Sequence, residues 1–360
     1  MVLSPRPGIL DIAPYVGGES KAPGANRTIR LASNENPLGA SPQAIEAYKA
    51  LAAELHRYPD GASAELRHTI AETQGLDAAR IVCGAGSDEL IALLVRAYAG
   101  PGDEVLFSAH GFLMYPIAAR TAGATPVAAP ETGLRADVDA LLARVNERTR
   151  LVFLANPNNP TGSYLPGEDI ARLHAGLPDD VLLVLDAAYA EYVDASDYET
   201  GAKLVDDKAN VVMTRTFSKI HGLAALRLGW AYGPAEVVDV LNRLRGPFNV
   251  SAPAQAAGVA ALRDAEHVRR SVSHNRQWRA WFAERAAAAG LEPQPSQGNF
   301  LLLRFAGGPS AAEAAVGRLK SQGVLIRQMS AYGLPDCLRV TIGTGEEMEA
   351  AAAALKEVQP

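Results

Sequence analysis

Cysteine is nearly absent from this chain. Only Cys83 and Cys337 occur among its 360 residues, far apart in sequence. That spacing offers neither a disulfide framework nor a metal-ligand pattern, and it fits a reducing cytoplasm. Long hydrophobic runs are also missing. Apolar stretches such as Val181 to Leu185 are too short to span a bilayer, and neither end reads as a signal peptide. Positive charge is not in excess. The net charge is -6 and no basic stripe occurs, which argues against nucleic acid as a partner. No repeat or low-complexity tract is present. The glycine turn Gly84-Ala85-Gly86-Ser87-Asp88-Glu89 lacks the Gly-x-Gly-x-x-Gly spacing of a dinucleotide fingerprint and the Gly-Lys-Ser/Thr of a P-loop.

What is present is a chain long enough for a large core and two domains. Residues 1 to 30 are rich in proline and glycine and lack periodicity, with one aromatic landmark at Pro14-Tyr15-Val16. Such an arm holds a shape only when packed on something, a partner subunit included. The polar turn Asn34-Glu35-Asn36-Pro37 follows, then a helix opened by Ser41-Pro42 and expected to run to about His56. Between about 80 and 233, short apolar strands alternate with helical segments, which predicts an α/β body with a mostly parallel sheet. From about Pro234 the helical period takes over. A long helical stretch from Pro253 to Ala289, interrupted near Asp264, leads to a compact α+β unit.

Chemistry-bearing residues gather where the predicted strands end. Gly84 to Glu89 joins a strand to a helix, where glycines let the backbone approach an anion and free N–H groups point at it. Ser87 is placed to cap that helix. Phe112 and Tyr115 lie three apart, both read as lying on the next helix, where a ring can pack in the core or stack on a flat cofactor. Asn156-Pro157-Asn158-Asn159-Pro160-Thr161-Gly162 breaks the strand before it and holds amide side chains still. Asp186 ends a continuous apolar strand, so its carboxylate needs a cationic or hydrogen-bonding partner. Finally Val211-Val212-Met213 runs into Thr214-Arg215-Thr216-Phe217-Ser218-Lys219, with Arg227 eight residues on. A lysine amine with a hydroxyl and an arginine nearby suits an anionic carbonyl compound: the amine condenses with the carbonyl, and Ser218 and Arg227 hold a phosphate.

This ordered set resembles the fold-type I aminotransferases that use pyridoxal phosphate. Pro14-Tyr15-Val16, the Asn34 loop, Arg57-Tyr58-Pro59 and Cys337-Leu338-Arg339-Val340-Thr341 resemble the histidinol-phosphate aminotransferase branch in particular. The resemblance implies a large domain with a mostly parallel central sheet sandwiched by helices, plus a smaller α+β domain. Residues 1–45 would form an arm packing on the small domain and a partner subunit, 46–250 the large domain and 251–360 the small one. It implies Lys219 as the amine that binds the cofactor and then moves a proton, and Asp186 as the partner of the pyridine nitrogen. Asn159 and Tyr189 would hydrogen-bond the ring oxygen, with Tyr115 stacked on the ring. Gly86, Ser87, Asp88, Thr216, Ser218 and Arg227 would hold the phosphate, with Tyr58 reaching the cofactor of the neighbouring subunit in a homodimer. Arg339, Arg327, Tyr15 and Asn34 would line the substrate end. Histidinol phosphate would be the amino donor and 2-oxoglutarate the acceptor. The sequence departs from the family at Ala187, at Gly111-Phe112 and at Ala225, none of them a catalytic group. The competing readings are an aromatic amino-acid transaminase, a decarboxylase on the same scaffold, and a binding protein that has lost the chemistry.

Overall fold

A computed structural model describes residues 3–22, 24 and 27–356. The seven strands of the larger sheet are β1 (Ile81–Gly84), β2 (Glu104–Ser108), β3 (Thr125–Ala129), β4 (Thr149–Ala155), β5 (Leu182–Asp186), β6 (Val211–Thr216) and β7 (Gly229–Tyr232). They lie side by side in the order β1-β7-β6-β5-β4-β2-β3. Neighbours from β6 through to β3 pair in parallel, and β7 is antiparallel to both β6 and β1. Both faces are covered by helices, so these strands read as unbroken apolar runs, as in Leu182-Leu183-Val184-Leu185.

The register places the strand ends at one edge. Ala155 lies opposite Asp186, and Asp186 opposite Thr214. Open parallel sheets carry their ligands at this carboxyl edge, so the segments singled out from the sequence converge here. Helix α1 (Pro42–Ala50) is capped by the Ser41 hydroxyl, which accepts from the Ala44 amide. It ends at Ala50, short of the expected His56, and a 3-10 turn follows.

The smaller unit carries an antiparallel sheet in which β8 (Phe300–Arg304) and β9 (Arg327–Met329) flank the long β10 (Leu334–Thr341). The helical stretch before it is split where expected: α2 (Ala252–Arg263) gives way at Asp264 to α3 (Ala265–Ala288), and the Asp264 carboxylate accepts from the His267 amide. By packing, α2 belongs to the large body, since Ala254, Ala257 and Leu262 share a core with Leu66, Phe217 and Leu228. The expected limit at 250 thus falls before a helix that still packs on the large body, and the limit at 45 falls within α1. The chain before α1 leans on the small unit, where Ile29 and Arg30 pair in parallel with Val324 and Leu325.

Candidate active site

Where the carboxyl edge of the large sheet faces the small unit there is a cavity of about 280 Å³. Its wall includes Lys219, Asp186, Tyr189, Asn159, Ser87, Asp88, Thr216, Ser218 and Arg227 from the large body. Arg339 and Arg327 come from the small unit, and Tyr15 and Asn34 from the segment before α1. The first strand end opens into the helix Ser87–Tyr98, whose N-cap is Gly86 with φ 85°. Ser87 is thus the first helical residue and not the cap expected of it. A Cβ on Gly86 would lie 2.4 Å from Arg227 Nη2, so glycine is what allows the arginine to lie against this turn. Arg227 donates to Asp88 Oδ2 at 2.9 Å and to Ser218 Oγ at 3.3 Å. A helix N-terminus, a hydroxyl and a guanidinium in one place form an anion site.

Asp186 is buried. Tyr115 donates its hydroxyl to Asp186 Oδ2 at 2.8 Å, while Oδ1 is buried without a well-formed hydrogen bond. Burial pushes this carboxyl up to about 6, against the Tyr115 hydrogen bond and smaller contributions from Ala188 and Thr214 that lower it. A basic ring nitrogen is the partner such an oxygen fits. Lys219 is buried as well and donates to the Ser33 carbonyl at 3.3 Å. Burial, reinforced by Arg339, brings its amine down to about 8. Tyr189 accepts from Asn34 Nδ2 at 2.9 Å, and Thr341 donates back to Asn34 Oδ1 at 3.2 Å. Burial raises the Tyr189 phenol above its usual range, with Arg339 opposing. Arg339 donates to Asn159 Oδ1 and to the Ala32 carbonyl. Arg327 donates to the Val16 carbonyl at 2.7 Å and lies 5.4 Å from the Tyr15 ring centroid.

One expected position differs: Tyr115 does not line the cavity. Its ring is stacked on Phe153 at 4.6 Å and its hydroxyl is committed to Asp186. Of Phe112 and Tyr115, it is Phe112 that lies on the wall. The helix begins only at Met114 because Gly111 first closes a turn on the Ser108 carbonyl. Phe112 therefore sits in the loop just past a strand end, which is the signal that separates it from Tyr115. Tyr58 is exposed and stacked on Phe248 at 4.6 Å, outside this chain's cavity. The Ser33 carbonyl under Lys219 and the Gly17–Gly18 wall carried no signal in the sequence.

These groups fit a flat ring with a basic nitrogen at one end, an anionic arm at the other and a carbonyl within reach of Lys219. The profile of the class I and II aminotransferases matches residues 26–355. The chain is 63% identical over 351 residues to the histidinol-phosphate aminotransferase of Rhodospirillum centenum, covering 98% of this chain and 97% of that protein. The chain belongs to the histidinol-phosphate aminotransferase family. Family identity is 58% with the protein of Paramagnetospirillum magneticum, over 98% of both chains. The family structure from Sinorhizobium meliloti, solved in complex with pyridoxal-5'-phosphate, superposes with a TM-score of 0.92. It is 32% identical, over 98% of this chain and 96% of that one. Among the described residues, no helix is long and apolar enough to cross a membrane.

Proposed function

We propose that this chain transfers the amino group of histidinol phosphate to 2-oxoglutarate, giving imidazole-acetol phosphate and glutamate in histidine biosynthesis, with pyridoxal phosphate as cofactor. One observation carries the reading. Lys219, Asp186 and two separate cationic ends, Arg227 on one side and Arg339 with Arg327 on the other, line a single cavity in a chain of this family.

When bound, pyridoxal phosphate supplies a carbonyl that accepts the amino group and a protonated ring that draws electrons from the substrate α-carbon. Lys219 Nζ would hold the cofactor at its carbonyl and, as a free amine, would be the base that moves the proton at the substrate α-carbon. Brought down to about 8, the Lys219 amine gives up its proton far more readily than an ordinary lysine, as a base at this position needs to. Asp186 would hold the ring nitrogen, Asn159 and Tyr189 the ring oxygen, Phe112 would offer an apolar face to the ring, and the Gly86 turn with Ser87, Asp88, Thr216, Ser218 and Arg227 would hold the cofactor phosphate.

The far end must take a phosphomonoester in one half-reaction and a carboxylate in the other. A guanidinium fork binds either anion in two-point fashion. Arg339 is the fixed group, buried and braced by Asn159 and Ala32. Arg327, on the more exposed side, adds the second positive charge that the phosphate uses, beside Tyr15. The enzyme works as a homodimer in the cytoplasm, with Tyr58 reaching the neighbouring subunit's cofactor.

The test is a donor panel with 2-oxoglutarate as acceptor. Histidinol phosphate should exceed histidinol and phenylalanine in kcat/KM by about 100-fold or more, and Arg327→Ala should erase most of the advantage of the phosphate. Equal efficiency with phenylalanine would make the enzyme an aromatic transaminase. Release of carbon dioxide from an amino acid without amino transfer would make it a decarboxylase.

A further inference from the structure

Behind the cavity wall lies a charged cluster that binds nothing in the reading above. Successive side chains of a strand point to opposite faces. Thr216 faces the cavity, so Arg215 turns away from it into the body. Arg215 is 5% exposed. Its Nη2 donates to Glu191 Oε1 at 2.6 Å, and its guanidinium lies 5.6 Å from the ring of Trp230, its register partner on β7. His221 packs against Phe217 with ring centroids 5.0 Å apart. It is close enough to feel both Glu191 and Arg215, with His267 a further neighbour.

Three atoms of this cluster, Glu191 Oε2, Arg215 Nε and His221 Nδ1, are buried without a hydrogen-bond partner. Burying a charged pair with bonds unmade costs stability, and apolar side chains of similar volume commonly serve at least as well. What an ion pair adds is a fixed distance and direction. The members also sit at telling places along the chain. Glu191 follows Tyr189 by two residues, Arg215 lies between Thr214 and Thr216, and His221 follows Lys219 by two. The cluster thus ties together, from behind, the turn that carries Tyr189, the strand that feeds the lysine loop, and the loop itself.

We propose that the Glu191–Arg215 pair, with His221 packed beside it, is a positioning element that sets Tyr189 against Lys219. In front of it, Lys219 Nζ lies 5.8 Å from the Tyr189 ring centroid. Displacements of about an ångström between such groups cost on the order of 100-fold in rate. The proposal rests on Lys219 being the cofactor-bearing amine.

The experiment replaces the pair by apolar residues of similar size, Glu191→Leu with Arg215→Met, and separately makes the conservative Glu191→Gln. Three quantities are read: the thermal midpoint of the cofactor-free protein, kcat and KM for the donor, and the pH midpoint of the bound cofactor's visible absorption. The double variant should keep its cofactor-free thermal midpoint within about 5 °C of wild type. Its kcat should fall about 10- to 100-fold with KM within about threefold. The absorption midpoint should move by about half a pH unit or more, because the environment of Lys219 has changed. A folded double variant with wild-type kcat and wild-type absorption midpoint overturns the proposal, whatever its stability. If the double variant does not fold, Glu191→Gln is judged on the same kcat and absorption readouts. Wild-type protein that shows no visible absorption with pyridoxal phosphate would instead defeat the reading of Lys219 itself, so the two failures are distinct.

Discussion

Asp186 and Lys219 are both buried ionisable groups, and burial moves them in opposite directions, up to about 6 and down to about 8. The two shifts predict separate pH effects in the cofactor-free protein. The raised carboxyl of Asp186 means that the folded state binds more protons than the unfolded chain between about pH 4 and pH 6. Its contribution to stability is full below the unfolded value and is lost as pH rises through about 6. Asp186→Asn should flatten the stability profile in that window, measured by urea unfolding of both proteins at several pH values. An identical slope in the two would count against a buried, raised carboxyl. In the holoenzyme the same substitution removes the charge opposite the ring nitrogen while nearly preserving shape. Cofactor binding should then survive better than turnover, with kcat down by more than about tenfold. For Lys219 the sign is reversed, since a lowered amine loses its proton in the folded state first. The rate of cofactor uptake should rise with pH and level off above about 8, followed by the growth of visible absorption after mixing. A rate that goes on rising well above pH 8 instead of levelling off would show that the amine is not held down by burial.

At the scale of elements, the site depends on loops leaving strand ends and locking onto one another. Gly222 is the tightest joint. It has φ 66°, and a Cβ there would lie 2.2 Å from the backbone oxygen of Gly39. Neither backbone can yield without moving the Asn34 loop or the lysine loop. Gly222→Ala should therefore cost about 2–4 kcal/mol, combining an unfavourable backbone region with overpacking. The loss would be read from the urea midpoint, and an unchanged midpoint would mean that the loops are free to part. Such joints mark the limit of what the sequence revealed. Strand ends were legible where apolar runs stop, at Gly84, Ala155 and Asp186. By the same signal β6 ends after Met213, whereas its polar residues Thr214 to Thr216 still pair in the sheet. The break in the long helix was legible at Asp264. The start of the helix after β2 was not. Phe112 and Tyr115 share helical spacing, and only the Gly111 turn decides that one faces the cavity and the other Asp186. The partner of Asp186 lies 71 residues away and that of Lys219, the Ser33 carbonyl, 186 residues away. No local pattern encodes a contact made by the packing of a whole sheet.

Over the whole molecule, several large apolar side chains are left in the open. Ile45 and Tyr48 on α1, with Leu55, Tyr58 and Phe248, are exposed, and Tyr58 and Phe248 are stacked on each other in the open. An exposed aromatic pair suits a place where another protein sits. A two-fold pair of chains would cover it symmetrically and could carry each Tyr58 toward the other's cavity. Sharing of this kind makes a prediction that simple association does not. Lys219→Ala removes the amine from a subunit's own site, whereas Tyr58→Ala damages only the site across the interface. Each variant alone should be poorly active. Formed together from unfolded subunits, they should give about half mixed dimers, and each mixed dimer holds one site with both Lys219 and Tyr58 intact. About a quarter of the wild-type activity should then return. The assay is kcat per subunit of the co-refolded mixture, set against each variant refolded alone and against the variants mixed without refolding. If the co-refolded mixture shows only the average of its two components, Tyr58 acts within its own subunit or not at all. A fully active monomer in sedimentation would dispose of the shared site as well.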